Sequence, residues 1–436
     1  MVRVLAWGSN DMSAPRKLLD DCFLHDGQRL RHTAAIELLK ARVGPVVEVE
    51  RLDLATSLGR IISEDVRAAH PVPAHTNAAV DGYAFASADY DKSRGARLTL
   101  EGRSAAGHPS TRAAEGGTAV RILTGAVLPD QTDTVVMQED VILDGSEVGI
   151  PAGLKTGANV RRSGEDVAYG ETLFSPGHVV RPQDLAALAS IGRTEVTCFQ
   201  RLSVAIVSTG DEIIRPNNGP LGIGQVYDAN APMLAALVTA AGATCHDLGI
   251  HPDKPDIIRR TLADAAGRHQ VVLTSGGASR GDEDHMVAAL EALGKCHMWQ
   301  LAIKPGRPMG FGQIGDCVVV CLPGNPVAVF VCFLMYVWPL LRRLGGAPWP
   351  EPLRYPLPAA FSFSGRKAGR REFWRGQLVE RNGTLAVAKF ERDGSGLISG
   401  LRAADGLIDI PEDAGDVAEG DPVAFIPFDQ FGMARA

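Results

Sequence analysis

The chain reads SVAIVS at 203–208, QVVLT at 270–274 and DCVVVCL at 316–322. These runs are almost wholly apolar, which is typical of strands covered on both faces of a sheet. A further strand is predicted at 243–248. Helical segments are predicted between the strands, at 232–241 with Asn230 as cap, at 255–266 and at 285–293. Strands that alternate with helices predict a three-layer α/β domain built on a parallel sheet.

A long apolar stretch, 327–341, follows the last of these strands. The Asn325-Pro326 pair before it predicts a helix start, because a proline at the first helical position has no N–H to leave unpaired. The stretch has 15 residues, fewer than the ~18–20 needed to cross a bilayer. We therefore expect no membrane span here, but a helix buried on every face by its own core or by a subunit partner.

Length and composition set limits on the class of protein. The chain has 436 residues, of which 45% are apolar and 22% charged, so several folded domains are expected and disorder is excluded. The formal net charge of −7 leaves no basic excess for a phosphate backbone, which argues against nucleic acid as a partner. The 7 cysteines are odd in number and show no C-x-x-C pair. A reducing, cytoplasmic location and no zinc site are predicted.

Outside the α/β segment, the pattern of apolar and turn-forming residues is different. From about 75 to 164 and from about 351 to 430, Gly, Pro and Asp break short apolar stretches at the spacing of β-rich domains. Asn382-Gly383 predicts a hairpin turn. One helix is predicted near the start, at 33–41, where it could pack on the α/β domain.

Ligands of parallel α/β sheets bind beyond the carboxyl ends of the strands. The loop 275–279 (SGGAS) has this position, and its backbone N–H groups could hold an anion; a simple tight turn is the alternative. Lys304 and Arg307 lie in the proline-braced segment KPGRP. This pattern is typical either of an anion clamp or of a solvated basic turn.

Five acids fall in loops or at strand ends: Asp81, Asp166, Glu212, Asp228 and Asp284. Each one alone is more typical of a cap or a turn. If they converged on one cleft with an anion-binding loop, they could hold a divalent cation that bridges phosphates, since Mg²⁺ prefers oxygen ligands. Sequence by itself does not show that they converge.

Taken together, nine segments resemble the molybdopterin molybdenumtransferase family, which is related to the C-terminal domain of gephyrin. The matching stretches are TNAAVDGYA (76–84), RILTGA (121–126), GED (164–166), STGDE (208–212), YDAN (227–230), the 275–284 loop, IKPGRP (303–308), PGNPV (323–327) and GRREFWRG (369–376). They stand in family order from about residue 30 to 428. Departures are Ala78-Ala79-Val80, where relatives often have Ser-Ala-Met, and Arg307, where many have Lys.

The resemblance implies a multidomain α/β plus β architecture. The three-layer α/β molybdopterin-binding domain would comprise 1–48 and 197–350, a small linking domain 49–74 and 165–196, a β-rich domain 75–164, and a C-terminal β-barrel 351–436. It also implies a homodimer whose active site lies between the α/β domain of one subunit and the 75–164 domain of the other. Residues 1–25 match no part of the family pattern.

The activity implied is molybdate insertion into adenylylated molybdopterin, with release of AMP and help from Mg²⁺. The catalytic residues would be Asp81, Thr124, Asp166, Glu212, Asp228 and Asp284, with Glu212, Asp228 and Asp284 holding the metal. The substrates would be bound by Ser275, Gly276, Gly277, Ser279, Lys304, Arg307, Pro323 and Pro326. A transient contact with the molybdopterin adenylyltransferase would supply the adenylylated substrate.

Three alternatives stay open at this point. A related single-domain family carries out adenylyl transfer, so the chain could be an adenylyltransferase. A non-enzymatic scaffold is a second alternative, although a scaffold need not keep this set of acids and cations. Tungstate could replace molybdate, because the two oxyanions have nearly the same size and charge.

Overall fold

The computed structural model describes residues 29–276 and 285–433. The helices in these ranges are α1 (His32–Arg42), α2 (Pro182–Ser190), α3 (Asn230–Ala240), α4 (Pro255–Ala266), α5 (His285–Leu293), α6 (Pro326–Leu344) and α7 (Ile398–Ala403). The strands are β1 (Val49–Asp53), β2 (Val66–Arg67), β3 (Asn77–Ala78), β4 (Gly82–Phe85), β5 (Ala96–Ser104), β6 (Thr118–Ile122), β7 (Thr134–Met137), β8 (Ile142–Asp144), β9 (Glu147–Ile150), β10 (Val160–Arg161), β11 (Thr172–Phe174), β12 (Glu195–Phe199), β13 (Ser203–Thr209), β14 (Ile213–Ile214), β15 (Val226–Tyr227), β16 (Thr244–His251), β17 (Val271–Ser275), β18 (Lys295–Gln300), β19 (Ile303–Lys304), β20 (Pro308–Ile314), β21 (Cys317–Leu322), β22 (Tyr355–Pro358), β23 (Arg371–Arg381), β24 (Thr384–Lys389), β25 (Gly406–Ile410) and β26 (Pro422–Pro427).

A six-stranded sheet in the order β16-β13-β17-β21-β20-β18 forms the centre of the α/β domain. The first four strands are parallel, as predicted. The prediction of a purely parallel sheet is wrong at one edge, where β20 and β18 run antiparallel. β21 and β20 are joined by a tight connection at Gly315, which allows an antiparallel pair without a crossover helix.

Side chains of the parallel strands alternate between the two faces of the sheet. Val204 and Ile206 pack in one core with α1, α3 and α6, whereas Ala205 and Val207 pack in another with α4 and α5. Strands that are buried on both faces explain why these sequence runs are almost entirely apolar. The prediction of three layers is therefore correct. Cys317 and Cys321, four residues apart on β21, both lie in the second of these cores.

α6 is the most deeply buried helix of this core. It spans 19 residues, four more than the apolar stretch counted in the sequence, and meets the length and apolarity of a membrane span. Nevertheless, 83% of its apolar 18-residue window is buried inside the protein, which is expected of a helix in a protein core. One turn, Phe333–Val337, is a π-helix. This turn lies just before Pro339, whose ring and missing N–H disturb the regular helical hydrogen bonds.

The segment between the two parts of the α/β domain forms separate units. A second six-stranded sheet, in the order β7-β4-β6-β5-β9-β8, is mostly antiparallel and lies within 75–164. Short pairs, β1 with β12 and β2 with β11, surround a small apolar core that includes Val66 and Leu188. The boundaries 49–74 and 165–196 of a linking domain stay a prediction.

The C-terminal strands form a third sheet, in the order β19-β23-β25-β26-β22, with β24 also paired to β23. The β23–β24 hairpin turns at Asn382-Gly383, where both residues have positive φ (52° and 74°), as the sequence predicts. The edge strand β19 comes from the α/β domain and pairs in parallel with β23. The two domains are thus joined through one sheet.

Candidate active site

The parallel strands β13, β17 and β21 lie side by side, so their carboxyl ends form one edge of the sheet. The side chain of Asn230 joins the end of β17 to the loop that follows β21. Its Nδ2 donates a hydrogen bond to Ser275 Oγ (2.7 Å) and another to the carbonyl of Gly324 (2.7 Å). The prediction that Asn230 caps α3 is therefore wrong, because Asn230 is the first residue of the helix and its side chain makes no cap hydrogen bond. Its side chain instead holds these two segments together at the position where ligands bind in such sheets.

A cavity of about 720 Å³ opens beside this edge. Its described lining comes from the α/β domain and from the C-terminal sheet. It consists of Gly276, Lys304, Pro305, Gly306, Arg307, Pro308, Pro323, Gly324, Asn325, Val327, Ala328, Phe373, Trp374, Arg375, Lys389, Phe390, Asp393, Gly394 and Ser395. Among the predicted substrate-binding residues, Gly276, Lys304, Arg307 and Pro323 are brought together here.

The turn that carries Lys304 and Arg307 is held from two sides. Gly306 has a positive φ of 99° and packs so closely on α6 that a Cβ there would overlap Cys332 Sγ. The thiol of Cys332 also donates to the Gly306 carbonyl (3.5 Å). On the other side, Lys304 Nζ lies 3.7 Å from Glu372 Oε2. Helix and C-terminal sheet together fix the direction of the two cations.

Glu372 is a buried carboxylate at the boundary between the two domains. Burial alone would raise its pKa, but hydrogen bonds from Trp374 and Arg370 and the charge of Lys304 lower the pKa overall. Trp374 Nε1 donates to Oε2 (2.9 Å) and Arg370 Nε to Oε1 (3.0 Å). The carboxylate therefore stays ionised beside Lys304.

The C-terminal wall contains functional candidates that the sequence analysis missed. Arg375 is 7% exposed and donates to the carbonyls of Gly394 (3.3 Å), Leu397 (3.1 Å) and Arg392 (2.6 Å). It thereby shapes the loop that ends at Ser395. The GRREFWRG motif contains this arginine, so the motif was a usable signal, but nothing in the sequence placed it beside Lys304.

Asp228 is buried and its carboxylate is already engaged. Oδ1 accepts the backbone N–H groups of Asn230 (3.1 Å) and Ala231 (3.0 Å) at the start of α3, and Oδ2 accepts Ser208 Oγ (2.6 Å). Arg215 Nη1 lies 3.4 Å from Oδ2. These contacts indicate that Asp228 holds the helix start to β13, a task different from the predicted metal ligation.

The other two predicted metal ligands give no complete set either. Glu212 is exposed, and Asp284 lies outside the described residues, as do Gly277 and Ser279. Within the ranges that the structure describes, no three His, Cys, Asp or Glu side chains are grouped so that they could hold a metal. The described residues by themselves do not fit a magnesium centre.

Asp81 and Thr124, far apart in sequence, meet within the 75–164 sheet. Asp81 Oδ1 accepts hydrogen bonds from Thr124 N (2.7 Å) and Thr124 Oγ1 (2.6 Å), which lower the pKa of this carboxyl. Gly82 is required beside them, because a Cβ would collide with the Val136 carbonyl. This contact explains why DGYA and RILTGA occur together in one chain.

Some predicted residues lie away from the cavity. Asp166 is exposed in a turn, where its N–H donates to the Val72 carbonyl (3.0 Å). Ser275 is buried beside Asn230, and Pro326 is the first residue of α6; neither is among the lining residues. No described lining residue comes from 75–164, so Asp81 and Thr124 do not reach this cavity within one chain.

Comparison with known proteins gives three family matches along the chain. Residues 30–192 match the MoeA N-terminal region (domain I and II), 205–343 a probable molybdopterin binding domain, and 357–428 the MoeA C-terminal region (domain IV).

Individual relatives agree with these matches. The molybdopterin molybdenumtransferase of Haemophilus influenzae is 35% identical over 385 residues, which cover 87% of this chain and 94% of the relative. Gephyrin of Dictyostelium discoideum is 32% identical over 69% of this chain and 47% of its own length. The crystal structure of the molybdopterin biosynthesis moeA protein from Pyrococcus horikoshii OT3 superposes with a TM-score of 0.79 at 28% identity, covering 92% of this chain and 100% of that one. The resemblance found in the sequence is thereby confirmed, and the chain belongs to the molybdopterin molybdenumtransferase family.

Proposed function

We propose that the protein transfers molybdate to the dithiolene sulfurs of adenylylated molybdopterin and releases AMP. The observation that carries this proposal is the position of Lys304 and Arg307, which line one cavity with Arg375 at the carboxyl edge of the molybdopterin-binding fold. An oxyanion and a phosphorylated substrate repel each other in water. Fixed cations offset this repulsion and hold both in reacting geometry.

Each wall of the cavity has a separate task in this proposal. The turn with Lys304 and Arg307 receives molybdate, because a fork-shaped guanidinium beside an ammonium suits a tetrahedral oxyanion. The backbone from Ser275 onward holds the phosphate, with Gly276 at positive φ (96°). An insertion step requires that molybdate and the substrate phosphate are held in one cavity, and in this proposal a different element holds each of them.

We propose that fewer acids act on the substrate than the sequence suggested. Asp228 positions α3, so Glu212 and Asp284 would orient the water whose oxygen attacks the phosphoanhydride between the molybdopterin phosphate and AMP, with AMP as the leaving group. When bound, Mg²⁺ would neutralise phosphate charge. Because the described residues do not complete a metal site, the role of Mg²⁺ stands on its own test, in which AMP release is measured with added Mg²⁺ and after chelation.

We infer a homodimer in which Asp81, Thr124 and Asp166 complete the site from the neighbouring subunit. Their distance from the cavity of their own chain supports this inference. The apolar helix gives no support for a dimer, because α6 is covered by its own core.

We also propose that the C-terminal sheet closes into a barrel, supported by the bridge between Ala359 and Val387. A cytoplasmic location and a transient contact with the adenylyltransferase complete the proposal.

One assay separates this function from its alternatives. The purified protein is incubated with adenylylated molybdopterin, with molybdate or tungstate present or absent, and AMP and metal-containing cofactor are quantified. We expect AMP and molybdenum cofactor to appear together. Formation of adenylylated molybdopterin from molybdopterin and ATP would instead show an adenylyltransferase, and absence of any turnover would show a scaffold.

A further inference from the structure

The cavity is much larger than an oxyanion needs. Its volume of about 720 Å³ falls in the range of ~300–1,000 Å³ that holds a drug-sized organic ligand. Lys304 and Arg307 line the cavity from the α/β domain, and the C-terminal residues that line it extend to Asp393, Gly394 and Ser395. The volume leaves room for an organic ligand beside the oxyanion.

Among the described residues that line this cavity, Asp393 is an acid, whereas the other ionised side chains are cations. Its side chain is 45% exposed, and a carboxylate at this position repels phosphate and molybdate. A carboxylate accepts hydrogen bonds and donates none. The group that it suits is therefore a ligand edge with N–H donors, and two parallel donors suit it best.

Lys389 keeps this carboxylate in place. Its Nζ lies 2.7 Å from Asp393 Oδ1 and donates to the Phe390 carbonyl (3.3 Å). The Lys389 side chain is 9% exposed, and its ammonium lies over the rings of Phe363 (5.3 Å) and Trp374 (5.5 Å). The lysine is thus packed into the wall, and the ion pair that it forms leaves the carboxylate partly open to the cavity.

We propose that Asp393 accepts the adjacent 2-amino and N3–H donors of the pterin ring of the substrate. This inference rests on the proposed function and adds the orientation of the substrate to it. The aminopyrimidinone edge of a pterin presents two parallel N–H groups, as a guanidinium does, and pairs with a carboxylate in the same way. The pterin then lies against the C-terminal wall, with its dithiolene end toward Lys304 and Arg307.

The test compares two small probes by calorimetric titration. One is 2-amino-4-oxopteridine, and the other is 2,4-dioxopteridine, which has a carbonyl in place of the amino group. The wild-type protein should bind the amino compound at least about tenfold more tightly, because the dioxo compound sets an oxygen against the carboxylate. Asp393→Asn should abolish or reverse this preference, since an amide both donates and accepts.

Two further variants serve as controls. Glu391→Gln removes an exposed acid two residues away that does not line the cavity, and should leave the preference unchanged. Lys389→Met is the intermediate case, because it breaks the ion pair that keeps the Asp393 carboxylate in place; the preference for the amino compound should weaken but persist.

Three results would overturn the proposal: no binding of the amino compound by the wild-type protein, an unchanged preference in Asp393→Asn, or a lost preference in Glu391→Gln. AMP release in the insertion assay is measured separately. Failure of the proposed function would abolish that release, whereas failure of this inference alone would leave it intact.

Discussion

Arg307 provides a test of the oxyanion site at the scale of one residue. It is exposed at the cavity, while the phosphate contacts are assigned to backbone groups near Gly276. Arg307→Ala should raise the molybdate concentration needed for insertion by about tenfold or more, because a charge-assisted hydrogen bond is lost. Affinity for adenylylated molybdopterin should hardly change. Both quantities are measured in the same variant.

Arg259→Ala is the matched control, because Arg259 is an exposed arginine on α4 that pairs with Asp256 (3.3 Å) and does not line the cavity. Weaker nucleotide binding with unchanged molybdate dependence would move Arg307 to the phosphate site. An unchanged molybdate dependence together with unchanged nucleotide binding would remove it from both sites.

The contacts of Asp228 lead to a prediction about stability and not about activity. Asp228→Asn should lower the free energy of unfolding by about 2 kcal/mol, because it weakens buried charge-assisted bonds to Ser208, Arg215 and the start of α3. Urea denaturation measures this loss, and the exposed Glu212→Gln is the control with little expected change. If Mg²⁺ stabilised the wild-type protein but not Asp228→Asn, Asp228 would be a metal ligand after all.

At the scale of elements, the contact between α6 and the turn that carries Lys304 and Arg307 sets the geometry of the site. Gly306→Ala should reduce insertion by roughly tenfold to a hundredfold, because the added Cβ pushes the turn away from Cys332. Adding Cys332→Ala should restore part of the activity by removing the overlap with Sγ. Restoration stays incomplete, since alanine remains strained at a φ of 99°. Full activity of Gly306→Ala would show that the turn is not held by the helix.

α1 is joined to α6 and the C-terminal sheet through a buried histidine. His32 Nδ1 lies 2.8 Å from the Tyr336 hydroxyl, and its ring packs edge-on against Phe373. Burial, helped by the charge of Arg371, lowers the pKa of His32 from 6.5 to about 4. The neutral ring is therefore favoured in the folded protein.

This depressed pKa predicts a pH dependence of stability. The contribution of His32 is fully present above pH 6.5, the unfolded value, and is lost as the pH falls toward 4, where the buried ring must take up a proton. The loss should be on the order of 3 kcal/mol. His32→Gln should lack this part of the decline when urea unfolding is compared between the two proteins across that range. Identical pH profiles would contradict the buried neutral state.

For the whole molecule, the decisive question is whether the site is shared between subunits. Asp81→Asn and Arg307→Ala impair different sides of the proposed cleft. The two variants are unfolded, mixed in equal amounts and refolded together, and activity is assayed at low molybdate, where Arg307→Ala is impaired. Half of the dimers are then mixed, and each of these carries one intact site. About a quarter of wild-type activity should return. No recovery, or a fully active monomer in sedimentation, would place the whole site in one chain.

Much of the site was predictable because it lies in short motifs whose backbone chemistry is local. The strand end that precedes Gly276 follows from a segment quoted from the sequence, whereas the Asp81–Thr124 hydrogen bond joins distant segments and forms only in the folded chain. The role of Asp228 was not predictable, since an acid before a helix can cap it or bind a metal with the same local pattern. Burial and the contact with the Ser208 hydroxyl support the capping role, and both depend on distant strands.

The order of apolar runs and helical segments was enough to determine the three-layer domain, because burial on both faces of a strand requires a continuous apolar run. Local turn chemistry likewise determined the hairpin at Asn382-Gly383. The antiparallel edge of the central sheet, the pairing of β19 with β23 and the entry of Arg375 and Asp393 into the cavity arise only when the chain is folded. The antiparallel edge depends on which strands pair across the short turn between β20 and β21. The pairing of β19 with β23 and the shared cavity depend on contacts between segments about seventy or more residues apart, and such contacts leave no periodicity in the sequence from which they could be predicted.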